Sequence, residues 1–140
     1  MRSVRWLAVP LLAVVLAGCG PSGPRVVRVN GTLTHKGKPV QSALLNFLPD
    51  KGRQSWAITD ANGRFKINYD EHQDGAVVGN HRVWIEYRAN TDAEKEAALE
   101  GRPAPLAQEM TAFFEKYSHA NSKLDVKIDS GTSELKLDLD

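Results

Sequence analysis

The chain has 140 residues and formal net charge +1, with 25% charged, 41% hydrophobic and 7% aromatic side chains. That length builds one domain around one core; ordinary glycine and proline usage excludes collagen-like and low-complexity chains, and a single cysteine excludes both a disulfide framework and a multi-thiolate metal site. A near-neutral charge with no basic stripe excludes nucleic acid as the main partner.

The chain opens with a short basic segment, Met1 to Arg5, followed by an apolar run from Trp6 to Ala17. This run is shorter than the roughly 20 residues a helix needs to cross a bilayer. A basic start, a short apolar stretch and small residues after it are the pattern of a secretory signal peptide. The end of that stretch, Leu16-Ala17-Gly18-Cys19, resembles the bacterial lipobox. The resemblance implies that residues 1–18 are removed, that the Cys19 thiol receives a diacylglycerol, and that the new amino terminus is acylated too. Each buried methylene contributes about 0.8 kcal/mol, so two or three acyl chains anchor stably where one does not. Gly20 stands where an aspartate would signal retention at the inner membrane, so the sorting rule implies an outer-membrane destination. Loss of Arg2 and Arg5, with no acidic residue before Cys19, turns the net charge from +1 to −1. Residues 19–25, containing Gly20-Pro21-Ser22-Gly23-Pro24, read as a lipidated cysteine and flexible tether.

From residue 26 the sequence alternates with period 2. Val27, Val29, Gly31 and Leu33 form the first apolar series, closed by turn residues Lys36-Gly37-Lys38-Pro39. Ala43 to Leu48 and Ser55 to Thr59 are the second and third runs, the latter meeting Asp60-Ala61-Asn62-Gly63, a hairpin signal. Phe65, Ile67 and Tyr69 form the fourth. The fifth, His81 to Arg88, sets Val83, Ile85 and Tyr87 on one face and Trp84, Glu86 and Arg88 on the other. Leu124, Val126 and Ile128 mark the sixth; Ser130-Gly131-Thr132 then turns the chain into Leu135, Leu137 and Leu139. Seven short strands separated by turns predict an all-β, antiparallel two-sheet sandwich.

Residues 89–121 interrupt that pattern before the last two strands. Thr91-Asp92-Ala93-Glu94 reads as a capping box opening a helix that runs towards Gly101. Beyond Pro103 and Pro105, Leu106, Met110, Phe113, Phe114 and Tyr117 fall on one stripe at helical spacing. A helical insertion packed against the sandwich is expected.

Gly37-Lys38-Pro39-Val40, Leu45 to Pro49, Thr59 to Phe65 and Gly79-Asn80-His81-Arg82-Val83 together resemble the carboxypeptidase regulatory-like domain, closest to small bacterial lipoproteins built from it. Lys116-Tyr117 and the stretch from Leu124 to Leu139 extend the resemblance, which covers residues 26–140 and is weakest over 89–112. It implies a transthyretin-like (prealbumin-like) β-sandwich of seven antiparallel strands. The matching residues are mostly turn and core residues, which specify a fold better than an activity. Transthyretin-like hydroxyisourate hydrolases carry catalytic histidines and a Tyr-Arg-Gly-Ser end, whereas this chain ends Leu137-Asp138-Leu139-Asp140, so that activity is not implied. Zinc peptidase chemistry does not transfer either, the module being an accessory to the catalytic domain there.

Candidate sites are few. Asp60 and Asn62 suggest part of a calcium loop, but the spaced acids and terminal Glu of an EF-hand are missing, and a hairpin turn accounts for them. Asp70-Glu71-His72-Gln73-Asp74 offers three carboxylates and an imidazole, read as a solvated loop for want of a second ligand cluster. His35, His72, His81 and His119 are scattered, without a zinc-binding pair. No serine sits in a nucleophile elbow. Asn30-Gly31-Thr32 reads as a strand with a glycine bulge. Trp84, flanked by Glu86 and Arg88, is either an exposed indole able to stack on a sugar ring or a partner's side chain, or an indole covered by the 89–121 insertion. No catalytic residue, cofactor or metal is expected. The expectation is a non-enzymatic, lipid-anchored envelope module with an adhesive, scaffolding or assembly role. Its partners would be membrane lipid, through the Cys19 acyl chains, and an envelope protein or glycan. The alternative is a carbohydrate- or small-ligand-binding lipoprotein.

Overall fold

The computed structural model describes residue 20 and residues 23–140. The signal-peptide and lipidation expectations on residues 1–18 and Cys19, and part of the tether, lie outside the described residues. The strands are β1 (Val26–Val27), β2 (Asn30–His35), β3 (Lys38–Pro39), β4 (Ala43–Pro49), β5 (Ser55–Ile58), β6 (Arg64–Lys66), β7 (Ala76–Val77), β8 (Gly79–Tyr87), β9 (Leu124–Ile128) and β10 (Glu134–Leu139). Helices α1 (Asp92–Leu99) and α2 (Gln108–Lys116) fall between β8 and β9. Each of the seven runs expected from the alternation contains a strand, and both helices lie inside the expected insertion.

One four-stranded sheet has the order β5-β4-β8-β9 and is antiparallel throughout. In the other, β2 lies between β10 on one side and β3 and β6 on the other. A small third sheet pairs β1 with β7. The two larger sheets share one apolar core, in which Leu33, Phe65 and Leu137 meet Leu45, Phe47, Val83, Ile85 and Ile128. Burying each such side chain contributes roughly 1.5–3 kcal/mol. Phe47 and Phe65, one from each sheet, have ring centroids 6.3 Å apart.

The seven-strand, two-sheet expectation lacks the two-residue strands β1, β3 and β7, which are too short to show a period of their own, and the third sheet. Three further details differ from it. First, the structure is not antiparallel throughout: β10 runs parallel to β2, from Glu134 beside Asn30 to Leu139 beside His35. The last two strands therefore belong to different sheets and do not form a hairpin. Alternation assigns each strand an inner face but not a partner or direction, because pairing runs through backbone groups along the edge, which every residue carries alike. Second, the Asp60 turn forms, with the Asp60 carboxylate accepting from the amides of Asn62 (2.8 Å) and Arg64 (2.9 Å). Instead of closing a simple hairpin, it carries the chain from the β5 sheet to the β2 sheet, leaving β5 joined to the following segment by one bridge, Trp56 to Asn68. Third, Gly31 forms no bulge. It lies in register with Phe65 on one side and Leu135 on the other, and a Cβ there would collide with the Phe65 ring. Close approach of that ring requires glycine.

The insertion packs as its patterning predicts. Phe113 and Phe114 of α2 enter the core, and Leu106, Met110 and Tyr117 pack against it. The Phe113 ring lies 4.9 Å from His35 and 5.0 Å from Tyr117, and that of Phe114 lies 5.9 Å from Tyr87. The Thr91 capping box of α1 forms, and its Glu94 is buried. Glu94 Oε2 accepts from Ser42 Oγ at 2.6 Å and from the amides of Thr91 (2.9 Å) and Asn90 (3.0 Å). Burial alone would raise its pKa, but these donors outweigh it and hold the carboxyl at about 2. The same carboxylate, with burial as the larger cause, pushes the Tyr87 phenol above its usual range.

Candidate functional site

The outward face of the β5-β4-β8-β9 sheet carries aromatic and polar side chains in register. Trp56, Asn46 and Trp84 form one row across β5, β4 and β8; Ile58, Leu44 and Glu86 form the next. Cross-strand neighbours of this kind sit roughly 5 Å apart at Cβ, so Asn46 lies between two indoles. It is 6% exposed. Its amide donates to Glu86 Oε2 at 3.3 Å, and its carbonyl oxygen accepts from Gln54 Nε2 at 3.0 Å. Both amide functions of a nearly buried side chain are thereby engaged, which fixes the centre of the face.

Of the two readings open for Trp84, the structure takes the covered one. Trp84 is 7% exposed. The His119 ring meets it edge-on at 4.7 Å, and Arg82 Nη2 donates to the His119 carbonyl at 2.6 Å, tying that cover to β8. The indole is thus closed over by the segment after α2, while Glu86 and Arg88 remain exposed. Among the described residues the exposed tryptophan is Trp56, on the other side of Asn46 in the same row and 39% exposed, with Leu48 at 40% on the same face. Leu44, Asn46, Gln54, Trp56, Ile58 and Arg88 line a shallow depression of about 290 Å³. Arg88 is the one previously singled-out residue that reaches it. Trp56 was legible in principle: Ser55, Ala57 and Thr59 alternate with it, and small residues facing the core put the indole outside.

This face can do three things chemically. The indole offers a π surface for ring stacking or cation contact. The free ends of Gln54 and Glu86 and the Arg88 guanidinium offer hydrogen bonds to hydroxyl or carbonyl groups. Leu44, Leu48 and Ile58 supply apolar area around them. A wider trough of about 710 Å³ runs past Asn30, Thr32, Asp60, Arg64, Lys66 and Glu134. Its lining mixes charges of both signs, and Lys66 is paired with Asp74 at 3.2 Å.

The remaining candidates are absorbed by local structure. Asp70 accepts from the amides of His72 (2.8 Å) and Gln73 (2.7 Å), and these bonds, the His72 one first, lower its pKa. Among the described residues no three His, Cys, Asp or Glu side chains are placed to hold a metal ion. His81 is fully buried with Nε2 2.6 Å from the Val77 carbonyl. His35 links Leu139 O (3.0 Å, through Nδ1) to Glu109 Oε1 (3.2 Å, through Nε2), fastening α2 to the ends of β2 and β10. Among the described residues no helix is long and apolar enough to cross a membrane. Comparison with protein-family models, curated proteins and solved structures finds no match for this chain.

Proposed function

We propose that the chain is a lipid-anchored, non-enzymatic module of the cell envelope, held at the outer membrane through Cys19, with an adhesive, scaffolding or assembly role. In this reading the domain is a transthyretin-like sandwich of the carboxypeptidase regulatory-like kind, and it meets its partner through the Trp56 face. The observation that carries the reading is that face: an exposed indole and Leu48, set on a rigid sheet around the hydrogen-bonded Asn46. Exposed apolar side chains rimmed by polar ones are how contact surfaces are built, and tryptophan and arginine are the residues that most often carry their energy.

The test is cross-linking in intact cells, with mass spectrometry of what is captured and Cys19→Ala as the unanchored control. One dominant partner, lost both in that control and in Trp56→Ala, is expected. A protein that stays in the cytoplasm without lipid label, or capture indifferent to Trp56, overturns the reading.

A second reading, a carbohydrate- or small-ligand-binding lipoprotein, is favoured by the same depression, where hydrogen-bonding groups of Gln54 and Arg88 surround the indole. Retention on a glycan array that Trp56→Ala abolishes and Trp84→Phe leaves intact is the outcome it requires.

A further inference from the structure

Strand β9 forms an edge of its sheet, and its open side is chemically symmetric. The reading order Leu124-Asp125-Val126-Lys127-Ile128 places apolar residues at both ends and the centre, with an acid and a base between them. In β8 the Asn80 carbonyl accepts from Asp50 and the Arg88 amide donates to Ser42, so even-numbered residues of β8 turn their backbone groups towards β4. Odd-numbered ones turn the other way. They meet β9 as Gly79 with Ile128, His81 with Val126 and Val83 with Leu124. The antiparallel ladder then leaves the N–H and C=O groups of Asp125 and Lys127 directed at the open edge. Among the described residues no strand pairs with that side.

From this geometry we infer that β9 pairs antiparallel with β9 of a second copy of this chain, about a two-fold axis passing Val126. Of the registers that turn these groups towards each other, centring on Val126 alone pairs both Asp125 and Lys127 within the five-residue strand. Centring on Asp125 or on Lys127 sets like charges opposite each other. Centring on Val126 sets each Asp125 opposite the partner copy's Lys127, as a hydrogen-bonded pair, and each Leu124 opposite Ile128. Charge complementarity therefore selects one register, and the contact is isologous, closing as a dimer with no free end. Within one copy the competing charge contact is weak: Lys127 and Asp129 are 3.5 Å apart with both side chains over 60% exposed. An edge strand of the second sheet, β10, alternates similarly around Leu137, but its Asp138 is engaged by Thr34 Oγ1 (2.7 Å) and the Gly37 amide (3.1 Å). Lys116 and Tyr117 also close on the Asp140 carbonyl at the end of β10.

The experiment is disulfide trapping of the full chain in intact cells. Opposed residues in a non-hydrogen-bonded antiparallel pair lie about 4.5 Å apart at Cα, within disulfide reach. Mild oxidation of Val126→Cys should give a species of twice the mass on non-reducing gels, while the unmodified chain and Lys95→Cys on exposed α1 do not. Adding Lys127→Asp, which sets two acids opposite each other, should cut the yield about tenfold or more, and adding Asp125→Lys to that variant should restore it. Where Val126→Cys accumulates poorly, co-expressed Asp125→Cys and Lys127→Cys chains, both altered at exposed positions, report the same register. A well-accumulated variant that does not cross-link overturns the inference, and the edge charges then serve to keep copies apart. Cross-linking indifferent to charge reversal overturns it as well.

Discussion

The two helices of the insertion differ in what they bury. α2 inserts Phe113 and Phe114, 2% and 8% exposed, into the shared core. α1 buries only Ala97 and Glu94 and leaves Leu99 90% exposed. Apolar area carries most of the hold on α2, with the Glu109 contacts to His35 and Lys36 on its exposed side fixing its direction. Glu94 holds α1 to the sheet through one directional bond, from Ser42, while its bonds from Asn90 and Thr91 belong to the helix's own start; displacing the helix costs the buried carboxylate the Ser42 donor. Ser42, itself in the left-handed region at φ 57°, is the sheet-side half of that attachment.

The contrast can be broken from either side. The largest effect is expected for Phe113→Ala, which opens a cavity in the core: a loss of about 3–5 kcal/mol in urea or guanidinium unfolding. Next comes acid. Glu94 has a folded pKa of about 2 against an ordinary 4.5. Its contribution is therefore fully present above pH 4.5 and fades as pH falls from there towards 2. Over that window the carboxylate should account for a loss on the order of 3 kcal/mol. Unfolding midpoints measured along this pH series in Glu94→Gln should lack that component; an unchanged acid slope in the variant would place the titrating group elsewhere. Thr91→Ala should cost about 1 kcal/mol and accelerate amide exchange in α1 while leaving α2 protected. Leu99→Ala, touching little, should stay within about 0.5 kcal/mol of the unaltered chain in the same unfolding assay.

What the residues disclose without coordinates divides along the same line. The seven alternating runs, the Thr91 cap and the Phe113 and Phe114 stripe are signals within a few residues of one another, and each meets an element, whereas the two-residue strands β1, β3 and β7 carry no such pattern of their own. Partner choice is not local. Nothing near Leu135 indicates that it pairs with Gly31, and nothing near Asp60 indicates that the turn changes sheets. The face of Trp84 followed from alternation, but its cover, His119, lies in a segment whose path depends on where α2 docks. For the same reason alternation alone does not separate Trp84 from Trp56: the two share one row of the sheet, and only the fold decides which of them is roofed.

The parallel pairing of β10 with β2 joins Leu139 to His35 across 104 residues. Synthesis delivers β2 long before β10, so one whole edge of β2 waits for about a hundred further residues. Contacts of such long range slow folding, and an unpaired strand edge is a site of misassembly while it waits. A chain cut short before Glu134 would leave that seam of β2 open permanently.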